Sequence, residues 1–472
     1  MPTSRRNFLK SAGAAATAIA MERLFLSPAA DAQAGSTGMI RTIVTDGAGN
    51  RFAAANPITW GAPTSAPAIE IDPAITQQTI LGFGCAFTDA ACFTLNRLSE
   101  SARAELFHEM FSPAEMGLSV CRLCIGSSDY TTEMYSYDEG SPDPDLKRFS
   151  IDHDRKYLLP IVRQARAVNP DLFFFASPWS PPGWMKYGGS MLGGSIHPFN
   201  VGVYSRYILK FLQAYESAGV HVNAITIQNE IDADQNGAMP ACTWPEEVEA
   251  NFIANHLGPL IRKSAPQTQI WILDHNYNLV GRVLDQLSRA SVRKYVDAIA
   301  WHGYAGSPEQ MRVAQAAYPH LDMHWTEGGS SFDAPDYLTD WTNWAETFTT
   351  ILKNGCTSIT TWNLALDEHG NPNIGPFHCG GAVTINSQSA QITRSGIFWA
   401  LRHFATSFRR GAKIIETKND IPGVSHVAAR NVDGSITMVL TCHTQQSVQI
   451  RMENDSATVE LPPDSITSLM LA

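Results

Sequence analysis

Positive charge is in short supply in this sequence: 34 Lys and Arg stand against 45 Asp and Glu, a formal net charge of −11. A nucleic-acid backbone is gripped through a basic face, so nucleic acid is excluded as a partner. Beyond the N-terminal leader no apolar run is long enough to span a bilayer, and no transmembrane segment is expected in the mature chain. Cysteine is sparse and scattered, 8 in 472 residues, which excludes a small disulfide-built scaffold. Cys121 and Cys124 have the spacing of a metal or redox pair, but no second pair follows. They also lie in an alternating run, where residues three apart face opposite sides of a strand. There is no His-Glu-x-x-His motif and no His/Cys cluster for zinc. The stretch Asp232-Ala-Asp-Gln-Asn-Gly237 begins like a calcium loop, but its twelfth position is Thr243 rather than Glu. Gly82-Phe-Gly84 lacks the third glycine of a dinucleotide-binding turn. No metal and no cofactor are therefore expected, and internal repeats and low-complexity tracts are missing as well.

What is present is a globular composition, 44% hydrophobic and 17% charged, with ample material for a core. It is preceded by Ser4-Arg5-Arg6-Asn7-Phe8-Leu9-Lys10, an alanine-rich stretch over 12–21 and an Ala32-Gln33-Ala34 cleavage pattern. These are the marks of a twin-arginine export signal over 1–34, although Glu22-Arg23 interrupts its apolar part. The expected location is periplasmic or extracellular. Residues 35–75 read as a β segment with a hairpin turning at Asp46-Gly47, and residues 409–472 alternate in β fashion around a turn at Asp433-Gly434. The two ends are expected to share one β-sandwich, with the intervening residues 76–408 inserted between them.

Over 76–408, short apolar runs alternate with helical patterns, the sign of repeated βα units. Candidate strands fall at 80–87, 119–125, 172–177, 224–229, 269–274, 298–302, 323–326 and 358–363. Helical spacing is seen over 101–111, 154–168, 203–218, 246–263, 280–287, 308–317, 341–352 and 397–408. This alternation predicts an α/β fold, a (β/α)8 TIM barrel with the side β-sandwich formed from both chain ends.

Active sites of such barrels sit at the carboxyl ends of the strands. Ile225-Thr-Ile-Gln-Asn-Glu230 puts Glu230 at the end of the fourth strand, and Trp325-Thr-Glu-Gly-Gly329 puts Glu327 at the end of the seventh. Two carboxyls at one mouth are what glycoside hydrolysis needs: one protonates the leaving oxygen, the other attacks or activates water. A lone strand-end glutamate is as readily a structural ion pair. Arg122 and Tyr304 are placed to hold a carboxylate ionised, or Arg122 only pairs with a barrel carboxylate. Trp179 and Trp362 are placed to stack on a pyranose face. His302 is a site residue or a satisfied core histidine, and Asp89 a site residue or a helix cap. A carbohydrate-binding barrel without turnover is the non-enzymatic alternative.

The segments Gly82-Phe-Gly-Cys-Ala-Phe-Thr-Asp89, Ala176-Ser-Pro-Trp-Ser-Pro-Pro-Gly-Trp-Met-Lys186, Thr226-Ile-Gln-Asn-Glu230, Thr326-Glu-Gly-Gly329 and Trp362-Asn-Leu-Ala-Leu366 resemble glycoside hydrolase family 30, the glucosylceramidase family. The resemblance runs from about residue 75 to the C-terminus. It implies a retaining β-glycosidase with a carbohydrate substrate, Glu230 as acid/base and Glu327 as nucleophile. It further implies Asn229 on the sugar 2-hydroxyl, Asp89, Trp179 and Trp362 lining the sugar site, and Arg122, His302 and Tyr304 around the nucleophile. Ile231 departs from the Asn-Glu-Pro often found there, and Gly303 stands where members can carry Trp. Residues 371–379 resemble bacterial members, including those acting on β-glucans. A β-glucoside is the expected substrate: a β-1,6-glucan, a small glucoside or glucosylceramide. Xyloside, fucoside and galactoside specificities stay open. Glu230 is expected to have a raised pKa beside an anionic Glu327.

Overall fold

The computed structural model describes residues 38–62 and 64–471. The export signal expected over 1–34 lies outside the described residues.

Eight parallel strands close into a barrel: β4 (Gly82–Phe87), β5 (Val120–Ile125), β6 (Phe173–Pro178), β7 (Ala224–Thr226), β8 (Gln269–Asn276), β9 (Ala298–His302), β10 (Asp322–Glu327) and β11 (Ser358–Asn363). They coincide with the eight runs expected from the sequence. Such strands are covered on both faces, one by the helices and one by the barrel interior, so they read as continuous apolar runs. In β4 and β5 every residue is buried. The lower interior is filled by Val120, Phe175, Ala224, Trp271, Ala298 and Ala300. His324 joins this plug, its ring stacked on Trp271 at 3.9 Å. Burial pushes its pKa down to about 3, so it is a neutral core histidine.

Gly84 explains the glycines of β4. A Cβ there would lie 1.6 Å from the Val120 carbonyl oxygen of β5, so the two backbones approach only because no side chain intervenes. Gly84→Ala is expected to cost about 3 kcal/mol or more, or to leave no soluble protein. Thermal unfolding checks this, and a melting point near the wild-type value would contradict the close approach.

Two expected elements differ in detail. The helix expected over 246–263 is interrupted by a wider π-type turn at Phe252–Leu257. The chain continues through Gly258-Pro259, and Pro259 has no N–H to give to the helical ladder. The fourth strand ends at Thr226, not at Asn229, because the backbone turns there to present Asn229 and Glu230. Asn229 N–H still reaches the Pro178 carbonyl (2.8 Å), and Glu230 N–H reaches that of Asp274 (2.9 Å).

A short sheet beside the barrel mouth is formed by β12 (Ala365–Leu366), β13 (Val383–Ile385) and β14 (Ile392–Arg394). The remaining strands are β1 (Met39–Thr45), β2 (Ala53–Thr59) and β3 (Ala68–Thr79) from one end of the chain. From the other end come β15 (Lys413–Lys418), β16 (Val424–Arg430), β17 (Ile436–Cys442), β18 (Gln446–Met452), β19 (Asp455–Leu461) and β20 (Ser465–Met470). Their order is β19-β18-β3-β15-β16-β17-β20-β1-β2. Gly61, just past β2, bridges back to Ser456 of β19, so the sheet curls over until its two edges meet and encloses its own core. This is the side sandwich built from both chain ends. His403, on the last barrel helix (Gly396–Ser407), bonds Ser468 of β20 (2.8 Å) and Thr45 of β1 (2.9 Å) and so pins the sandwich to the barrel.

Above β6, Lys186 is buried and its Nζ donates to Ser180 Oγ (3.0 Å) and to the carbonyls of Met191 (2.9 Å) and Ala241 (2.6 Å). It thereby joins the loops that follow β6 and β7. Burial pushes its pKa down from 10.5 to about 8. The folded state thus carries a penalty for the charged amine that is full below pH 8 and fades as pH rises towards 10.5. Relative to Lys186→Met, the wild type is expected to gain stability across that window. A difference flat with pH in denaturant titrations would contradict this.

Candidate active site

Three strand ends are re-aimed by irregular register. The pairing shifts between Leu273 and His275 in β8, between Trp325 and Glu327 in β10, and between Thr361 and Asn363 in β11. A bulge of this kind turns a side chain out of strict alternation, and bulges concentrate next to active sites. Glu230 adopts φ 51° and Asp274 φ 51°, left-handed backbone that costs a non-glycine residue energy and persists only where the surroundings hold it. All of this lies at the carboxyl end of the barrel.

Arg122 is the hub. It is fully buried, and its Nε donates to Ser177 Oγ (3.1 Å). Its Nη2 donates to Asn229 Oδ1 (2.8 Å) and to Asp274 Oδ2 (2.7 Å), and its Nη1 pairs with Glu327 Oε2. The other Glu327 oxygen accepts from the Tyr304 hydroxyl (3.1 Å). Asp274 accepts further bonds from Thr226, Thr326 and His302 (2.8, 2.7 and 3.0 Å). Burial alone would raise its pKa, but Arg122 and His302 hold it well below the usual carboxylate range.

Glu230 faces Glu327 across His302. His302 Nδ1 lies 3.6 Å from Glu230 Oε1 and 3.9 Å from Glu327 Oε1. The two carboxylate oxygens therefore stand no farther apart than the sum of those distances, about 7.5 Å. Burial works against a charged His302, yet Glu327, Asp274 and Glu230 around it raise its pKa to about 9. The expectation of a raised pKa for Glu230 is corrected here. Burial does raise it, but the charges of His302 and His275 and a bond from Gln235 outweigh burial, and the net shift is downward. The positive ring beside Glu230 acts at shorter range than the negative charge of Glu327.

A pocket of about 260 Å³ opens at this point, lined among others by Trp179, Asn229, Glu230, Tyr304, Glu327 and Trp362. The structure thus brings six of the nine expected site residues to one surface. Arg122 and His302 are fully buried behind it and reach a ligand only through the carboxylates. Asp89 is not at the pocket. His153 Nε2 and Tyr157 Oη bind one of its oxygens (2.9 and 2.7 Å), while Thr131 and Thr132 bind the other. It fixes the loop that follows β5, and Thr88, not Asp89, caps the adjoining helix. Trp179 and Trp362 are 2% and 3% exposed, stack on each other at 5.1 Å and both line the pocket.

Several lining residues escaped the sequence reading: Asp129, Met239, Phe377 and Cys379. Asp274 and His275, beneath Glu230, escaped it too. Asp274 and Asp129 carried a usable signal, since Asp274 closes the run expected over 269–274 and Asp129 follows closely on the end of β5. Met239, Phe377 and Cys379 come from long loops that no periodicity describes. A larger cavity, about 890 Å³, lies at the opposite mouth among the strand starts and contains none of these groups.

Two carboxylates facing one pocket at the carboxyl mouth of a closed (β/α)8 barrel are the arrangement of a barrel glycoside hydrolase. The chain belongs to glycosyl hydrolase family 30: its TIM-barrel model matches residues 80–408 and its β-sandwich model residues 411–469. An endo-1,6-β-D-glucanase of Neurospora crassa is 31% identical over 412 residues, 83% of this chain and 84% of that protein. The putative glucosylceramidase 3 of Caenorhabditis elegans is 30% identical over 427 residues, 85% and 81% of the two chains. The solved endo-β1,6-glucanase BT3312 superposes with a TM-score of 0.84 at 26% identity, covering 92% of this chain and 99% of that one.

Proposed function

We propose that this glycoside hydrolase cleaves β-glucosidic bonds with retention, Glu327 as nucleophile and Glu230 as acid/base. The observation that carries the reading is the shared imidazole, which caps the carboxylate separation at about 7.5 Å. Retaining enzymes hold the pair ~5–5.5 Å apart and inverting ones ~6.5–9.5 Å, so the cap excludes most of the inverting range. In the first step Glu327 bonds the anomeric carbon while the bond to the leaving oxygen breaks and that oxygen takes a proton from Glu230. In the second, Glu230 takes a proton from water, whose oxygen displaces Glu327. Arg122 and Tyr304 each bond one oxygen of Glu327 and so fix its direction. Asn229 gives its carbonyl oxygen to Arg122, which leaves its amide N–H groups for a sugar hydroxyl. Glu230 and His302 hold their protons jointly, and expulsion of water by substrate favours the neutral carboxyl of Glu230.

The substrate proposed is a β-1,6-glucan, supported by the endo-1,6-β-glucanases among the relatives. Glucosylceramide is the second reading, supported by the nearly equal identity to the nematode protein. Incubation with β-1,6-glucan, β-1,3-glucan and glucosylceramide, with the released anomer followed by proton NMR, tests both. Initial β-anomer from β-1,6-glucan is the expected result, and initial α-anomer would overturn retention. Export by the twin-arginine route is proposed on the strength of Arg5-Arg6 and the segment after them. Among the described residues no helix is long and apolar enough to cross a membrane. Arg5→Lys/Arg6→Lys is expected to keep the precursor in the cytoplasm.

A further inference from the structure

Beneath Glu230 two buried imidazole nitrogens have no hydrogen-bond partner: Nδ1 of His275 and Nδ1 of His302. Both point at the same atom, Glu230 Oε1, from 3.8 and 3.6 Å. Those separations exceed a hydrogen bond, whose heavy atoms lie within about 3.2 Å. A buried polar atom without a partner calls for a physical reason, and here two share one focus.

The opposite nitrogen of each ring is committed. His302 Nε2 lies 3.0 Å from Asp274 Oδ1, and His275 Nε2 lies 2.7 Å from Asp232 Oδ1. A carboxylate on Nε2 keeps a proton there in both ring forms, so Nδ1 is the nitrogen that gives up its proton and turns its lone pair inward when an ion binds. Glu230 is committed in the same sense, because its Oε2 accepts from Gln235 and Oε1 remains free. Carboxylate behind imidazole, imidazole aimed at a common point, is how proteins orient histidine ligands to a transition metal.

We infer that Glu230, His275 and His302 form a site for a divalent transition-metal ion, of the zinc class, whose occupancy shuts off the enzyme. The three ligand atoms lie within 4.8 Å of one another. Ligands on a tetrahedral zinc stand about 3.4 Å apart at bond lengths of about 2.0–2.1 Å. The side chains must close by well under an ångström on the two measured edges. Two imidazoles and one carboxylate suit zinc, nickel or copper, whereas magnesium and calcium require oxygen ligands. The fourth position opens towards the pocket, which Glu230 and Glu327 both line. The ion occupies the lone pair on which Glu230 would carry its proton. It therefore leaves the reaction without an acid, and it adds a cation where the leaving oxygen must sit. The effect on turnover rests on the proposed role of Glu230; the binding of the ion does not.

The test is calorimetric titration of the chelator-stripped full chain with zinc chloride at neutral pH, with magnesium chloride as control. One zinc per chain at about micromolar affinity and no heat from magnesium are expected. His275→Gln removes one ligand and is expected to weaken zinc binding at least tenfold. Asp232→Asn changes a half-exposed residue that only orients His275, and is expected to weaken it about 10–100-fold. Melting curves of both variants without metal establish that they are folded. No zinc heat from folded wild type, or unchanged affinity in both variants, would overturn the site. In parallel, zinc is expected to abolish hydrolysis of an aryl β-glucoside, and a chelator to restore it; full activity with zinc bound would overturn the inhibition. If no glucoside is cleaved at all, the proposed function fails, while the titration still decides the site.

Discussion

Glu327→Gln is expected to reduce turnover by on the order of 10⁴-fold or more on every β-glucoside, whatever its leaving group. That loss corresponds to about 5.4 kcal/mol of barrier. The amide keeps the shape of the side chain, and Tyr304 and Arg122 still surround it, but an amide cannot form the glycosyl ester. It also removes one of two carboxylates bound to Arg122, leaving Asp274 as its remaining anionic partner. Folding is therefore expected to survive. Initial rates on an activated aryl glucoside and on β-1,6-glucan check the result. A variant within tenfold of wild type would exclude Glu327 as nucleophile.

Glu230→Gln is expected to split substrates by leaving group. General acid catalysis contributes about 10²–10⁴-fold where the departing alkoxide needs a proton, and little where it departs unaided. Glycosylation by a dinitrophenyl glucoside should therefore stay near the wild-type rate, while cleavage of β-1,6-glucan falls by that factor. The glycosyl-enzyme then accumulates, since no base activates water, and a small anionic nucleophile such as azide is expected to release it as the β-glycosyl azide. Equal loss of glycosylation rate on both substrates would remove Glu230 from the acid role. The bond from Gln228 Nε2 to the Trp179 carbonyl and that from the Glu230 N–H to the Asp274 carbonyl hold this loop without the Glu230 side chain, so the variant keeps its backbone geometry.

Much of this site was readable in the sequence because a barrel converts strand ends into neighbours. Once eight alternating units are recognised, Glu230, Glu327, Arg122, Asn229 and Trp362 must share one mouth, although more than 200 residues separate some of them. Tyr304 follows for the same reason, just past the end of β9. Chemistry set by side chains that meet only in three dimensions was not readable. Asp89 could be placed just past the end of β4, but its four partners from the segment after β5 could not be read from the sequence. The direction of the Glu230 shift depends on His302 at the end of β9 and on His275, which the bulge of β8 at Asp274 re-aims. The sharing of one sandwich by both chain ends was legible in their alternation, whereas the curling of its nine strands and the pinning of that sheet by His403 on the barrel's last helix were not.

The central claim is that Glu327 becomes covalently bonded to a gluco-configured sugar. Intact mass after incubation with 2-deoxy-2-fluoro-β-glucosyl fluoride tests it most directly, followed by peptide mapping. One adduct per chain, on the peptide that contains Glu327, is the predicted result. An adduct on any other residue, or folded protein that consumes the reagent without accumulating an adduct, would contradict the account.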